Sequence, residues 1–239
     1  VGVEFAELFE DRQLSNDCKA AEKKLVKAAS KVYKKFLASC PAPDAPGSKQ
    51  VTALMTITGL IDAPKADKEF LSINGAQGFS TFYGYYMLEA MAMAGNYQGA
   101  LDVIREYWGA MIDLGATSFW EDFDINWIPN AAPIDELVPE GKKDIHGDCG
   151  AYCYVGFRHS LCHGWASGPT SWLSRHILGV EVIEPGCRQV RITPHLGDLQ
   201  WVKGTFPTPY GELQIYHEKQ ANGNVISEVK APKGVSVIK

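Results

Sequence analysis

The sequence predicts a mainly α chain that gives way to a small all-β domain near its C-terminal end. Three observations predict it. Apolar residues recur at helical spacing through most of residues 15–178, and short alternating runs replace them after Gly179. Asn222-Gly223 stands between two such runs, the strongest short-range hairpin signal. The boundary is placed between residues 183 and 184, so that 1–183 is helical and 184–239 is a β-domain.

The first long helix is expected over 15–38. Cys18, Ala21, Leu25, Ala28, Val32 and Phe36 form its apolar stripe, and seven lysines from Lys19 to Lys35 lie mostly outside it as a solvated face. Prolines 41, 43 and 46 make residues 40–47 a loop, because each disfavours helix before it. A second helix runs from about Lys49 to Ile61.

A helix hairpin follows. Phe79, Phe82, Tyr83, Tyr86, Met87, Ala90, Met91 and Ala94 share one face, which makes Phe79, Tyr83 and Tyr86 mostly core. Gly95 supplies the stop and Asn96 the next N-cap. The partner helix carries Tyr97, Ala100, Leu101, Ile104, Trp108, Met111 and Ile112. Residues 125–148 read as a long loop, a rim or lid. Helix returns around Gly150–Phe157 and over Pro169–Leu178, the latter entered through Ser167-Gly168-Pro169. Strands are expected at Gln189–Thr193, Leu213–His217 and Val225–Val229. A β-domain this short is expected to lean on the helices.

A net charge of -5 without a basic cluster argues against nucleic acid. No apolar run approaches the ~20 residues of a membrane span. The opening Val1-Gly2-Val3-Glu4-Phe5 has neither a start Met nor a signal-peptide layout, so the chain is expected to be processed or a fragment. Cys149, Cys153 and Cys162 lie near His146, His159 and His163, but the spacing matches no common structural zinc pattern. The expectation is buried thiols, with no metal and no cofactor.

The chemistry concentrates in Gly115-Ala116-Thr117-Ser118-Phe119-Trp120-Glu121-Asp122-Phe123-Asp124, which leaves the C-terminal end of the hairpin. A carboxylate among aromatic rings suits a sugar-cleaving site, where rings stack on pyranosides and the carboxylate acts as acid, base or nucleophile. Asp122 and Asp124 are read as surface or loop-capping groups. Trp120, Trp127 and Trp165 are candidates for sugar contact, although tryptophans bury large areas regardless of function.

This segment is followed by Cys162-His163-Gly164-Trp165-Ala166-Ser167-Gly168-Pro169, then by Pro185-Gly186 and Ile192-Thr193-Pro194-His195. The succession resembles the C-terminal half of the inverting α-L-rhamnosidases, glycoside hydrolase family 78, over roughly residues 75–230. The resemblance implies part of an (α/α)6 barrel, a six-hairpin toroid, followed by an antiparallel β-sandwich. It implies hydrolysis of terminal α-L-rhamnosides by single displacement. Glu121 matches the family's general base and His163 a histidine that hydrogen-bonds the sugar. Trp120 and Trp165 match aromatic positions around that pocket. Nothing matches the family's general acid; Glu10-Asp11-Arg12-Gln13 lacks the pattern. The implied partners are a rhamnose-terminated glycan or glycoside and the remainder of the parent catalytic domain. The competing readings are another (α/α)6 carbohydrate-active enzyme, glycosidase or phosphorylase, and a non-catalytic sugar-binding fragment.

Overall fold

The computed structural model describes residues 2–39, 42–43, 45, 47–145, 148–149 and 159–238. The helix expected around 150–157, Cys153 and His146 lie outside the described residues. Helix α1 (Gly2–Leu8) turns back on α2 (Arg12–Ser39), where Glu7 accepts from Lys19 Nζ at 2.8 Å. The expected stripe on α2 is amphipathic in sequence but open in space: Leu25 is 68% and Val32 65% exposed. The reason is reach, since α1 covers only the first turns of α2. Tyr33, near the other end, is buried.

Helix α3 (Ser48–Ile57) leads to α4 (Ala63–Ala66), which Asp62 caps by accepting from Lys65 N and which runs into a π-turn at Asp67–Leu71. Helix α5 (Gly84–Met93) is the centre of the helical layer, packed against α3, α6 (Tyr97–Asp113) and α7 (Gly168–Trp172). Met87, Leu88, Ala90, Met91 and Ala92 are all buried, so α5 is apolar nearly all round, as a core helix must be. Burying each of Met87, Leu88 and Met91 contributes roughly 1.5–3 kcal/mol.

The hairpin differs from expectation at two points. Residues 79–83 are irregular rather than helical, and Phe82 and Tyr83 are exposed. Here the Thr81 hydroxyl is committed to a distant carbonyl, described below. On α6 the buried face runs through Leu101, Val103, Tyr107, Trp108 and Met111, which leaves Ile112 exposed. The Gly95-Asn96 junction is as read, with Asn96 Oδ1 accepting from Gly99 N at 2.9 Å. Helix α7 continues as a π-turn over Leu173–Ile177.

The described residues between 114 and 163 are mostly irregular, with a two-residue parallel pair, β1 (Ala131–Ala132) and β2 (Lys143–Asp144). The C-terminal module holds two three-stranded sheets. One has the order β3-β4-β8, formed by Val180–Val182, Gln189–Ile192 and Ser236–Ile238. The other is the meander β5-β6-β7, formed by Trp201–Thr208, Gly211–Lys219 and Val225–Lys230. Val190 and Ile192 from one sheet and Leu213 and Ile215 from the other share a core.

The first strand begins at Val180, ahead of residue 184, because a three-residue strand is too short to show alternation. The module's pairings are antiparallel except that β8 pairs with β4 in parallel.

The β-module leans on the helices. Gly179 joins them at φ 72, and a Cβ there would sit 2.3 Å from the Thr193 carbonyl carbon. His217 Nε2–H donates to Leu178 O at 3.1 Å, Tyr97 stacks on His195 at 3.7 Å, and Arg105 pairs with Asp198 at 2.8 Å. Among the described residues no helix is long and apolar enough to cross a membrane.

Candidate active site

Two irregular segments are laced together by their backbones. Glu121 N donates to Ser160 O at 2.8 Å, and His163 N donates to Phe119 O at 2.7 Å. Ser118 Oγ adds a bond to Leu161 O at 2.5 Å. Residues 118–121 and 160–163 therefore run side by side, although forty residues separate them in sequence.

The lacing fixes Glu121 from three directions. Its carbonyl accepts from Thr81 Oγ1 at 2.6 Å and from Trp165 Nε1 at 2.7 Å. Its carboxylate Oε2 accepts from Ser160 N at 2.8 Å. Among the described residues Oε1 takes no hydrogen bond. The side chain is 20% exposed, a carboxylate half-sunk in a wall with one oxygen available.

His163 Nδ1 lies 4.0 Å from Glu121 Oε2. That is too long for a hydrogen bond and short enough for one hydroxyl or water to reach both. Trp165 leans on the His163 ring, centroids 4.2 Å apart, and meets Phe82 at 5.8 Å. Trp165 is 39% exposed beside the carboxylate. Behind it Gly168 passes so close to α5 that a Cβ would lie 2.6 Å from Tyr85 Cβ.

Trp120, expected around the sugar pocket, is 0% exposed and packs edge-on to Phe123, so its ring lies in the core behind Glu121. Neighbouring residues of a non-helical segment turn opposite ways, and Glu121 takes the open side. Phe123 is held in turn, its carbonyl accepting from the Tyr107 hydroxyl. Burial, then the charges of Asp122 and Asp124, push that phenol well above its ordinary range, which keeps it a donor.

Trp127, Asp122 and Asp124, together with Lys143 and residues from 47–50 and 77–80, line a cavity of about 770 Å³ whose described wall includes neither Glu121 nor His163. Asp124 caps the turn that carries Trp127, accepting from Asn126 N at 2.8 Å. Among the described residues no group of three or more His, Cys, Asp or Glu side chains could hold a metal ion. Cys149 engages His159 Nδ1 through its carbonyl at 2.9 Å, and Cys162 is exposed.

Sequence reasoning missed Thr81, Ser160 and Phe82. Thr81 and Ser160 act through a hydroxyl and a backbone amide that carry no pattern. Phe82 was hidden by its helical spacing with true core positions.

The comparisons with known proteins bear on this geometry. Residues 179–238 match the model of the bacterial alpha-L-rhamnosidase C-terminal domain. The chain is similar to the GH78 family rhamnosidase of Bacillus sp. GL1, at 26% identity and TM-score 0.59, covering 79% of this chain and 18% of that one. It is similar to the alfa-L-rhamnosidase of Aspergillus terreus, at 18% identity and TM-score 0.69, covering 98% and 26%. It is also similar to the alpha-L-rhamnosidase of Streptomyces avermitilis complexed with L-rhamnose, at 17% identity and TM-score 0.57, covering 79% and 17%. No curated protein is significantly similar to it. The chain spans 26% or less of each of these solved structures, and its fold is similar to that part of them.

Proposed function

We propose that this chain supplies the general-base side of an inverting glycosidase acting on terminal α-L-rhamnosides. The observation that carries the reading is the Glu121–His163–Trp165 grouping: a carboxylate with one oxygen committed to Ser160 N, a histidine 4.0 Å away and a partly exposed indole that donates to the Glu121 carbonyl. Glu121 Oε1 takes a proton from a water as that water attacks the anomeric carbon. His163 holds a sugar hydroxyl, and Trp165 covers an apolar face of the ring. The bound Oε2 keeps the carboxylate from swinging, so the attacking water is placed before reaction rather than during it.

Inversion needs a second carboxyl group about 6.5–9.5 Å from the first, to protonate the leaving oxygen while water fits between. No such acid is recognised among these residues, so it comes from elsewhere in the parent enzyme, whose catalytic domain the helical layer completes as part of an (α/α)6 barrel. The similarity of the solved rhamnosidases and of the C-terminal domain model supports the substrate class.

The test is product stereochemistry. The parent enzyme, given an aryl α-L-rhamnoside without phosphate, releases β-L-rhamnose first, as followed by NMR before mutarotation. Release of the α-anomer, or cleavage that requires phosphate, rejects the proposal.

A further inference from the structure

Between β4 and β5 the chain lies as a strap along one face of α6. His195 stacks on Tyr97, ring centroids 3.7 Å apart and planes within 6°, and Asp198 Oδ1 accepts from Arg105 Nη2 at 2.8 Å. Midway, Gly197 passes so close that a Cβ would lie 2.6 Å from Gln98 Oε1 and 2.8 Å from Leu101 Cδ1. Residues 97, 98, 101 and 105 share a helical face, so the strap follows α6 for about two turns. It is also tied to the meander, since Gly197 O accepts from Lys219 Nζ and Gln200 O from Lys219 N.

The two ends of the strap differ in chemistry. At one end the Arg105 hydrogen bond lowers the Asp198 pKa, so that ion pair stays charged in mild acid. The other end is a stack made from a titratable ring. His195 is half-buried, its backbone N donates to His176 O at 3.0 Å, and among the described residues its ring takes no hydrogen bond. His176 also faces Tyr97, at 5.8 Å, while its own Nε2 lies 3.1 Å from Glu89 Oε1. Arg175 Nη1 reaches the other Glu89 oxygen at 3.3 Å, so the nearby carboxylate is already engaged twice. The charged and titratable groups around His195 are therefore Glu89 on α5, Tyr97 on α6, and Arg175 and His176 on the π-turn; Arg105, Asp198 and Lys219 gather at the far end. A proton on His195 meets no waiting acceptor. Burial, then the charge of His176, lower its pKa. Cation–π attraction to Tyr97 works the other way, but that one phenol ring is shared with His176.

We propose that the strap is an acid-released latch: neutral His195 holds it on Tyr97, and protonation frees this end from α6 while the Arg105–Asp198 end stays fixed. The β-module is thereby loosened from the helical layer in mild acid, at the junction and not in its own core. The ring is harder to protonate docked than free, so the docked strap is at full stability above 6.5 and weakens as pH falls below it. The latch works whatever the role of Glu121.

The test is amide hydrogen exchange of the 239-residue chain at about pH 7.5 and about pH 5.5, corrected for the intrinsic pH dependence of exchange. The His195 amide, bonded to His176 O, opens roughly three- to tenfold more often at the lower pH. That rise exceeds any change in the amides of β6, which report unfolding of the module as a whole. His195→Phe keeps a ring on Tyr97 and removes the proton site, so the excess at residue 195 disappears. An NMR titration of the His195 ring in the unaltered chain gives a midpoint below 6.5. An excess retained by His195→Phe, equal changes in the strap and β6, or a His195 midpoint at or above 6.5 overturns the proposal.

Discussion

Replacing Thr81 by Val tests how Glu121 is held. The change keeps the shape of a buried side chain and deletes the hydroxyl that donates to Glu121 O at 2.6 Å. The same carbonyl still accepts from Trp165 Nε1 at 2.7 Å, so it is not orphaned. The expected loss is about 1 kcal/mol, the net worth of an ordinary hydrogen bond. For a chain of this size that lowers Tm by about 2–4 °C. Trp165→Phe removes the other donor and costs a similar amount for this bond. The double variant leaves the carbonyl with neither donor, and its cost exceeds the sum of the singles by roughly 0.5–3 kcal/mol. Urea unfolding of the four proteins measures the coupling. Costs that add within about 0.3 kcal/mol would refute the shared-acceptor account.

Three further outcomes are expected. Gly168→Ala places a Cβ 2.6 Å from Tyr85 Cβ and 3.2 Å from its Cα, which backbone cannot yield cheaply; thermal melts should show roughly 1–3 kcal/mol of destabilisation. His217 is buried with Nε2–H donating to Leu178 O and Nδ1 accepting from Ser227, so its neutral form is the one built in, and burial lowers its pKa. The unfolded chain takes up this proton as pH falls through 6.5 and the folded chain does not, so stability holds above 6.5 and declines below it. Urea midpoints that stay flat from about pH 7.5 to about pH 5.5, or an NMR titration of His217 above 6.5, would contradict this. Gly179→Ala drives a Cβ into the Thr193 backbone at a φ of 72, and limited proteolysis should then cut the β-module faster; an unchanged digestion rate would count against the junction described.

Much of the fold was legible because its signals are local. The period of α6 and the Gly95-Asn96 junction mark a helix hairpin, and Asn222-Gly223 marks the β6–β7 turn. What failed was set by distant partners. Nothing local reveals that Thr81 is drawn to Glu121 instead of joining α5, or that β8 returns to pair with β4. The stripe on α2 shows which face is apolar but not whether anything reaches it. Glu121, His163 and Trp165 lie in two sequence blocks that the fold brings together. Trp120 was not separated from Trp165, because both are aromatic and adjacent to the motif. Only the backbone direction assigns one to the core and the other to the opening.

The central claim is that Glu121 is the base. Steady-state kinetics of Glu121→Gln in the complete parent enzyme on an aryl α-L-rhamnoside addresses it most directly. Gln is near-isosteric and still accepts from Ser160 N, so folding is retained while the proton acceptor is lost. The account predicts a fall in kcat of about 10²–10⁴-fold with little change in KM. Unchanged turnover in a variant with the parent's melting temperature would contradict it.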